Sequence, residues 1–188
     1  MSYNNITIMK NYLLLFLVFS STIFMYSQEA WIPFKSQDFS FRANFERNPK
    51  TLAQDIPVDG NVFKMNMFYI ENSLDSEKSN LLYAVAHVGY NKEEFLIDDL
   101  EKTEIMLNNA VDGSVKNVNG RLIFKNDILL NGFQGKEVKI EMQGGYISAR
   151  LYLVKHELYF IQVMATTDNE DNPDINKFFN SFDIIKVK

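Results

Sequence analysis

The side chains able to do chemistry in this 188-residue chain are few. It has two histidines, His87 and His156, and no cysteine. Without cysteine there can be no disulfide, thiolate zinc site, iron–sulfur cluster, cysteine nucleophile or lipid-bearing N-terminal cysteine. Histidine is the side chain that trades protons near neutral pH, and zinc needs three or four such ligands converging. His87 ends an apolar run, Leu81–Val88, and His156 sits in the joint Lys155-His156-Glu157. The two could converge with an acid, but no HxH or HExxH spacing places them on one element, so no metal is assigned. The acidic run Asp168, Glu170, Asp171 and Asp174 lacks the glycine and alternating spacing of a calcium loop. It reads as a solvated loop leading into a charged helix start. Ser148 has no basic partner in the pattern, no Gly-x-Ser-x-Gly elbow exists, and no glycine-rich loop with lysine could cradle a phosphate. Glu93/Glu94 and Asp98/Asp99 are sequence neighbours, which diverge by about 100° on a helix and make no two-carboxylate site. No catalytic residue and no cofactor are assigned.

One constellation remains as a ligand or partner contact: Arg150 with Tyr146, Tyr152 and Gln162. Strand alternation puts Tyr146, Arg150 and Tyr152 on one face. A three-residue loop at 155–157 would add Gln162, Phe160 and Met164 from the next strand. A guanidinium beside aromatic rings can take an anion or stack on a partner. The structural alternative is an ion pair with Glu137 or Glu141, which the expected register places diagonal to Arg150, with Lys139 directly opposite.

The elements that must position these residues follow from periodicity. Trp31–Phe34 and Phe39–Phe41 read as one irregular strand, with Pro33 at an edge or bend. Residues 48–60 read as a loop rich in turn residues. Val62–Ile70 and Leu81–Val88 are strand-like. A helix over about 92–111 follows, capped by Asn91, with an apolar stripe of Leu96, Leu100, Thr103, Leu107 and Val111 and closure at Asp112-Gly113. Val115–Phe124, Phe133–Met142, Tyr146–Val154 and Leu158–Ala165 read as strands. Gly144-Gly145 serves as a two-residue hairpin loop, setting Met142 opposite Ile147 and Ile140 opposite Ala149. Asn172-Pro173 opens a second helix over about 173–182, whose stripe of Ile175, Phe178, Phe179 and Phe182 needs a sheet to cover.

Residues 1–28 read differently. From Met1 to Ser27 the only charge is Lys10, and the apolar stretch Tyr12–Tyr26 ends at Ser27-Gln28-Glu29. That is the pattern of a secretory signal peptide, with Met9 as an alternative start. The stretch is shorter than the ~20 apolar residues of a membrane span, so no stable span is expected after cleavage. Retention of the leader as a tether is the variant reading. Removing 1–27 takes away Lys10 and no acid, which moves the formal charge from −5 to −6. An acidic chain without clustered Lys and Arg is a poor nucleic-acid binder. The 16 Phe, 9 Tyr and 1 Trp argue for a packed domain, and residues 30–188 read as one.

The order of motifs over 132–182 resembles the PsbP-like superfamily and its bacterial relatives of unknown function. Those motifs are Gly132-Phe133-Gln134-Gly135-Lys136-Glu137, the Gly144-Gly145 hairpin, Arg150-Leu151-Tyr152, Glu157-Leu158-Tyr159, and Phe178-Phe179-Asn180-Ser181-Phe182. The resemblance implies an α+β protein, an α/β/α sandwich on a central antiparallel sheet. It also implies a non-enzymatic module that docks to a protein partner, since members include an extrinsic photosystem II subunit and a Ran-binding protein. Nothing in the residues implies photosynthesis. The chain is thus expected to be exported, periplasmic or extracellular. The alternative is a small-molecule-binding or enzymatic domain of cystatin-like or nuclear-transport-factor-like shape, with a pocket between the long helix and the sheet.

Overall fold

Long antiparallel strands dominate the described residues, 30–58, 61–75, 77–90 and 99–185 of a computed structural model. The expected leader, the expected cap Asn91 and the stripe residue Leu96 lie outside them. A seven-stranded sheet runs in the order β3 (Lys50–Val58), β4 (Asn61–Glu71), β5 (Asn80–Gly89), β9 (Glu157–Thr166), β8 (Gly145–Val154), β7 (Phe133–Met142) and β6 (Arg121–Leu130). A smaller sheet has the order β1 (Ile32–Ser36), β2 (Phe41–Phe45), β10 (Asp183–Ile184). Two α-helices, α1 (Leu100–Asn117) and α2 (Pro173–Ser181), and a short 3₁₀ turn, Thr167–Asn169, complete the described chain.

Both faces of the large sheet are covered because both are apolar. On one face Val138, Ile140, Ile147, Ala149 and Leu151 pack with Leu107 and Val111 of α1, all essentially buried. On the other, Tyr83, Val85, Tyr159, Ile161 and Val163 meet Phe41 and Phe45 of β2 and Phe178 of α2. The second cover is therefore a small sheet and a short helix together, where a helix alone was expected. From Trp31 onward the chain forms one compact unit.

Several expectations change. The irregular first strand is a hairpin, β1 and β2, folded back through Ser40 at φ +48°. Pro33 does sit in an edge strand, where a missing N–H costs nothing. Residues 50–58, expected as loop, form β3. Its side chains are almost all exposed, so no alternation marks it, and Pro57 is tolerated because β3 is an edge.

The long helix also ends later than expected. Asp99 caps its start, its Oδ1 accepting from the Lys102 N–H at 2.9 Å. Leu100 is exposed there instead of joining the stripe. The helix continues through Gly113 to Asn117 because Val115 keeps contact with the core. It stops where Asn119 turns left-handed (φ +48°). The Gly120 N–H then reaches Val115 O and the Asn119 N–H reaches Lys116 O, a Schellman pattern. Val115–Val118 is therefore not strand, and Asn119-Gly120 caps the helix.

Gly113 lies mid-helix, and a methyl group added there would meet nothing within 4 Å. Gly113→Ala is expected to raise stability by about 0.5–1 kcal/mol in denaturant unfolding. A loss of similar size would contradict the continuous helix.

Candidate functional site

Arg150 projects from β8 beneath α2. The register is Gly135↔Tyr152, Glu137↔Arg150, Lys139↔Ser148 and Glu141↔Tyr146. Glu137, not Lys139, lies directly opposite Arg150. The hairpin loop is Gln143-Gly144, with Gly144 at φ +85°, and Met142 pairs with Gly145. The whole register is thus two residues away from the expected one. A two-residue shift preserves the faces, so Tyr146, Arg150 and Tyr152 remain together.

Arg150 Nε donates to Glu137 Oε1 at 2.7 Å, and Nη1 donates to Asn180 Oδ1 at 3.4 Å. Its guanidinium stands 5.0 Å from the Phe179 ring centre. Tyr152 is buried and stacks on Phe182 with centroids 6.1 Å apart and planes 2° apart. Burial pushes the Tyr152 phenol above its usual range. At Tyr146, Lys139 Nζ lies 5.0 Å from the ring centre. Lys139 also pairs with Glu170 at 2.7 Å and Asp171 at 2.9 Å, and these bonds outweigh burial, raising its pKa. Two members of the acidic run therefore hold a nearly buried lysine. Around Arg150, the bond to Glu137 joins two strands of the sheet, and the contacts to Asn180, Glu170 and Asp171 tie the sheet to α2 and to the segment before it.

Gln162 does not belong to this set. It pairs with Ala149 on the α1 face, as Phe160 pairs with Leu151. The expected three-residue loop is a two-residue one, Lys155-His156, made possible by Lys155 at φ +58°. That one-residue difference turns β9 over relative to β8, and with both faces apolar the pattern could not object.

The two histidines do meet one acid. His87 Nε2 lies 3.3 Å from Glu157 Oε2, and His156 Nε2 lies 3.7 Å from Oε1. His87 is buried against the rings of Phe39 and Tyr159, and neither nitrogen makes an aligned hydrogen bond. The Glu157 carboxyl is held below its usual range, chiefly by His87. Among the described residues, no three His, Asp or Glu side chains are grouped so that they could hold a metal ion.

A cleft of about 500 Å³ opens beside the Arg150 cluster, between the small sheet and the C-terminal end of α2. Pro33, Phe34 and Phe182 line it together with Lys35, Arg42, Asn44, Asn180 and Asp183. Asn180 joins the two places, since it also accepts from Arg150. The Asn44 N–H donates to Ser181 Oγ at 2.9 Å, which pins β2 to the helix end. Asp183 accepts from Arg42 Nη2 at 2.7 Å and Asn131 Nδ2 at 2.9 Å. Burial alone would raise the Asp183 pKa, but these bonds win and hold it below the usual 3.8.

A depressed carboxyl stabilises the fold above its unfolded pKa, and that contribution fades as pH falls through the folded value. Asp183→Asn is therefore expected to melt below wild type at pH 7. The gap should narrow at pH 3, as read by thermal unfolding at both pH values. A gap unchanged at pH 3 would contradict it.

Layers and register together define a PsbP-like fold. The likeness covers far more than the 132–182 motifs. The solution structure of cyanobacterial PsbP (CyanoP) from Synechocystis sp. PCC 6803 matches with a TM-score of 0.51 at 10% identity, over 85% of this chain and 95% of that one. No family model and no curated protein matches the sequence. Among the described residues, no helix is long and apolar enough to cross a membrane.

Proposed function

We propose that this chain is an exported, non-enzymatic binding module, an α/β/α sandwich of PsbP-like type, that docks to a protein partner in the cell envelope or outside the cell. The observation that carries this reading is the PsbP-like fold, which extends over most of the chain. The two members that the resemblance names, an extrinsic photosystem II subunit and a Ran-binding protein, act by docking. The use of polar side chains supports it. Arg150, the cation singled out by its aromatic neighbours, is spent on Glu137, Asn180 and Phe179. The Tyr146 and Tyr152 rings are engaged by Lys139 and Phe182. Such groups hold layers together; they are not poised to attack a substrate. Covers on both sheet faces favour this architecture over a single helix closing a pocket.

The leader supports export. The test is gentle in-cell crosslinking of the full chain, with N-terminal sequencing of the recovered protein. The expected result is a start near residue 28 or 29 and one recurring adduct with an envelope or extracellular protein. An intact Met1 or Met9 start removes cleavage, and the absence of any adduct removes the docking role.

A further inference from the structure

The small sheet carries an arrangement that packing does not explain. Its register places Lys35 directly opposite Arg42, and Arg42 directly opposite Asp183. Two cations facing each other across strands repel. The one acid of that row is already engaged by Arg42 and Asn131. Lys35 is exposed, and among the described residues no acid pairs with it. In a chain of net charge −5 this is a local excess of positive charge. It sits on the wall of the cleft, whose apolar lining comes from Pro33, Phe34 and Phe182. Beside it runs β1, the outer strand of its sheet, so one row of β1 backbone groups has no strand partner in that sheet.

We infer that this cleft binds an extended, acidic segment of a protein partner, with a carboxylate on Lys35 and Arg42 and the peptide backbone along the free edge of β1. The inference rests on the binding-module reading and names the surface and the partner's chemistry. A carboxylate relieves the repulsion between the two cations. Arg42 is 64% exposed in its side chain and bonds Asp183 through Nη2, which leaves its other guanidinium N–H groups for a second carboxylate. Exposed Pro33 offers apolar contact to the side chains between the acids. The outer edge of β1, one N–H short at Pro33, still selects an extended peptide over a small carboxylic acid, because only a peptide can pair with its remaining N–H and C=O groups.

The probe is an acetylated, amidated heptapeptide alternating valine and glutamate, titrated into the ¹⁵N-labelled exported chain by NMR. Its glutamine counterpart and free glutarate serve as comparisons. The expected result is amide shifts confined to β1, Asn44 and Asn180, with affinity that falls as salt rises. Lys35→Gln, a change at an exposed side chain, should weaken binding about two- to fivefold, and Lys35→Arg should restore it. The site is overturned if the glutamine peptide or glutarate binds equally well, if the shifts fall elsewhere, or if Lys35→Gln binds like wild type. Absence of peptide binding overturns the site even where crosslinking still captures a partner, so failure here is distinct from failure of the docking role.

Discussion

Phe178→Ala is expected to cost about 3–5 kcal/mol, the range for removing a fully buried ring. Phe178 is 0% exposed and touches four rings. Its centroid lies 5.2 Å from Phe45 of β2, 5.2 Å from Tyr83 of β5, 6.2 Å from Trp31 and 6.5 Å from Phe179. These rings belong to the small sheet, the large sheet, the entering chain and α2 itself. Aromatic pairs add to the area term, so the loss exceeds that of an isolated side chain. The neighbours come from separate layers and cannot all move inward, so the cavity stays open. Denaturant unfolding reads the loss. Phe178→Leu, which refills part of the space, should recover roughly half of it. A loss below about 1 kcal/mol would mean that α2 does not hold the two sheets together.

Gly145→Ala is expected to cost about 3 kcal/mol or more, at the upper end for overpacking. A Cβ there would lie 2.1 Å from Ala165 O and 3.2 Å from Ala165 C. Backbone cannot yield as a side-chain tip can, so the start of β8 must separate from β9 where Gly145 pairs with Thr166. Gly144 supplies the contrast. It has φ +85° and nothing within 4 Å, so Gly144→Ala meets only left-handed strain, about 1–2 kcal/mol. Unfolding of both variants under one condition should show the larger loss at Gly145. The reverse order would restore Gly144-Gly145 as the loop and shift the register.

That glycine pair shows where sequence was sufficient and where it was not. Strand existence was legible throughout residues 133–166, because runs such as Ile147–Val154 are long, apolar and bounded by turn residues. The β7–β8 register came out two residues off with no change of face, since strand alternation has period two. At β8–β9 the loop is one residue shorter than the pattern suggests. That difference moved Gln162 away from Arg150, because a sheet apolar on both sides offers no polar face to object. Lys155, at φ +58°, gave no composition signal for the tighter turn. The edge strand β3 was illegible for the opposite reason, since its side chains are almost all exposed and show no period. Gly113 read as a stop, yet Val115 still had a core to reach.

The candidate site divides in the same way. Tyr146, Arg150 and Tyr152 were legible together because they lie on one strand. Lys35, Arg42 and Asn180 come from three elements. No spacing in the sequence could bring them into one cleft before the β1–β2 register was known. Alternation in Phe41, Ala43 and Phe45 was the available hint, because it forces Arg42 and Asn44 outward.

The docking role is tested most directly by p-benzoylphenylalanine carried in the living cell at Asn44, in the cleft, and separately at Gln54, on the far edge strand β3. Illumination should yield one discrete adduct to an envelope or extracellular protein from position 44 and none from position 54. No adduct from either position, or the same adducts from both, would contradict a module that docks through the small sheet.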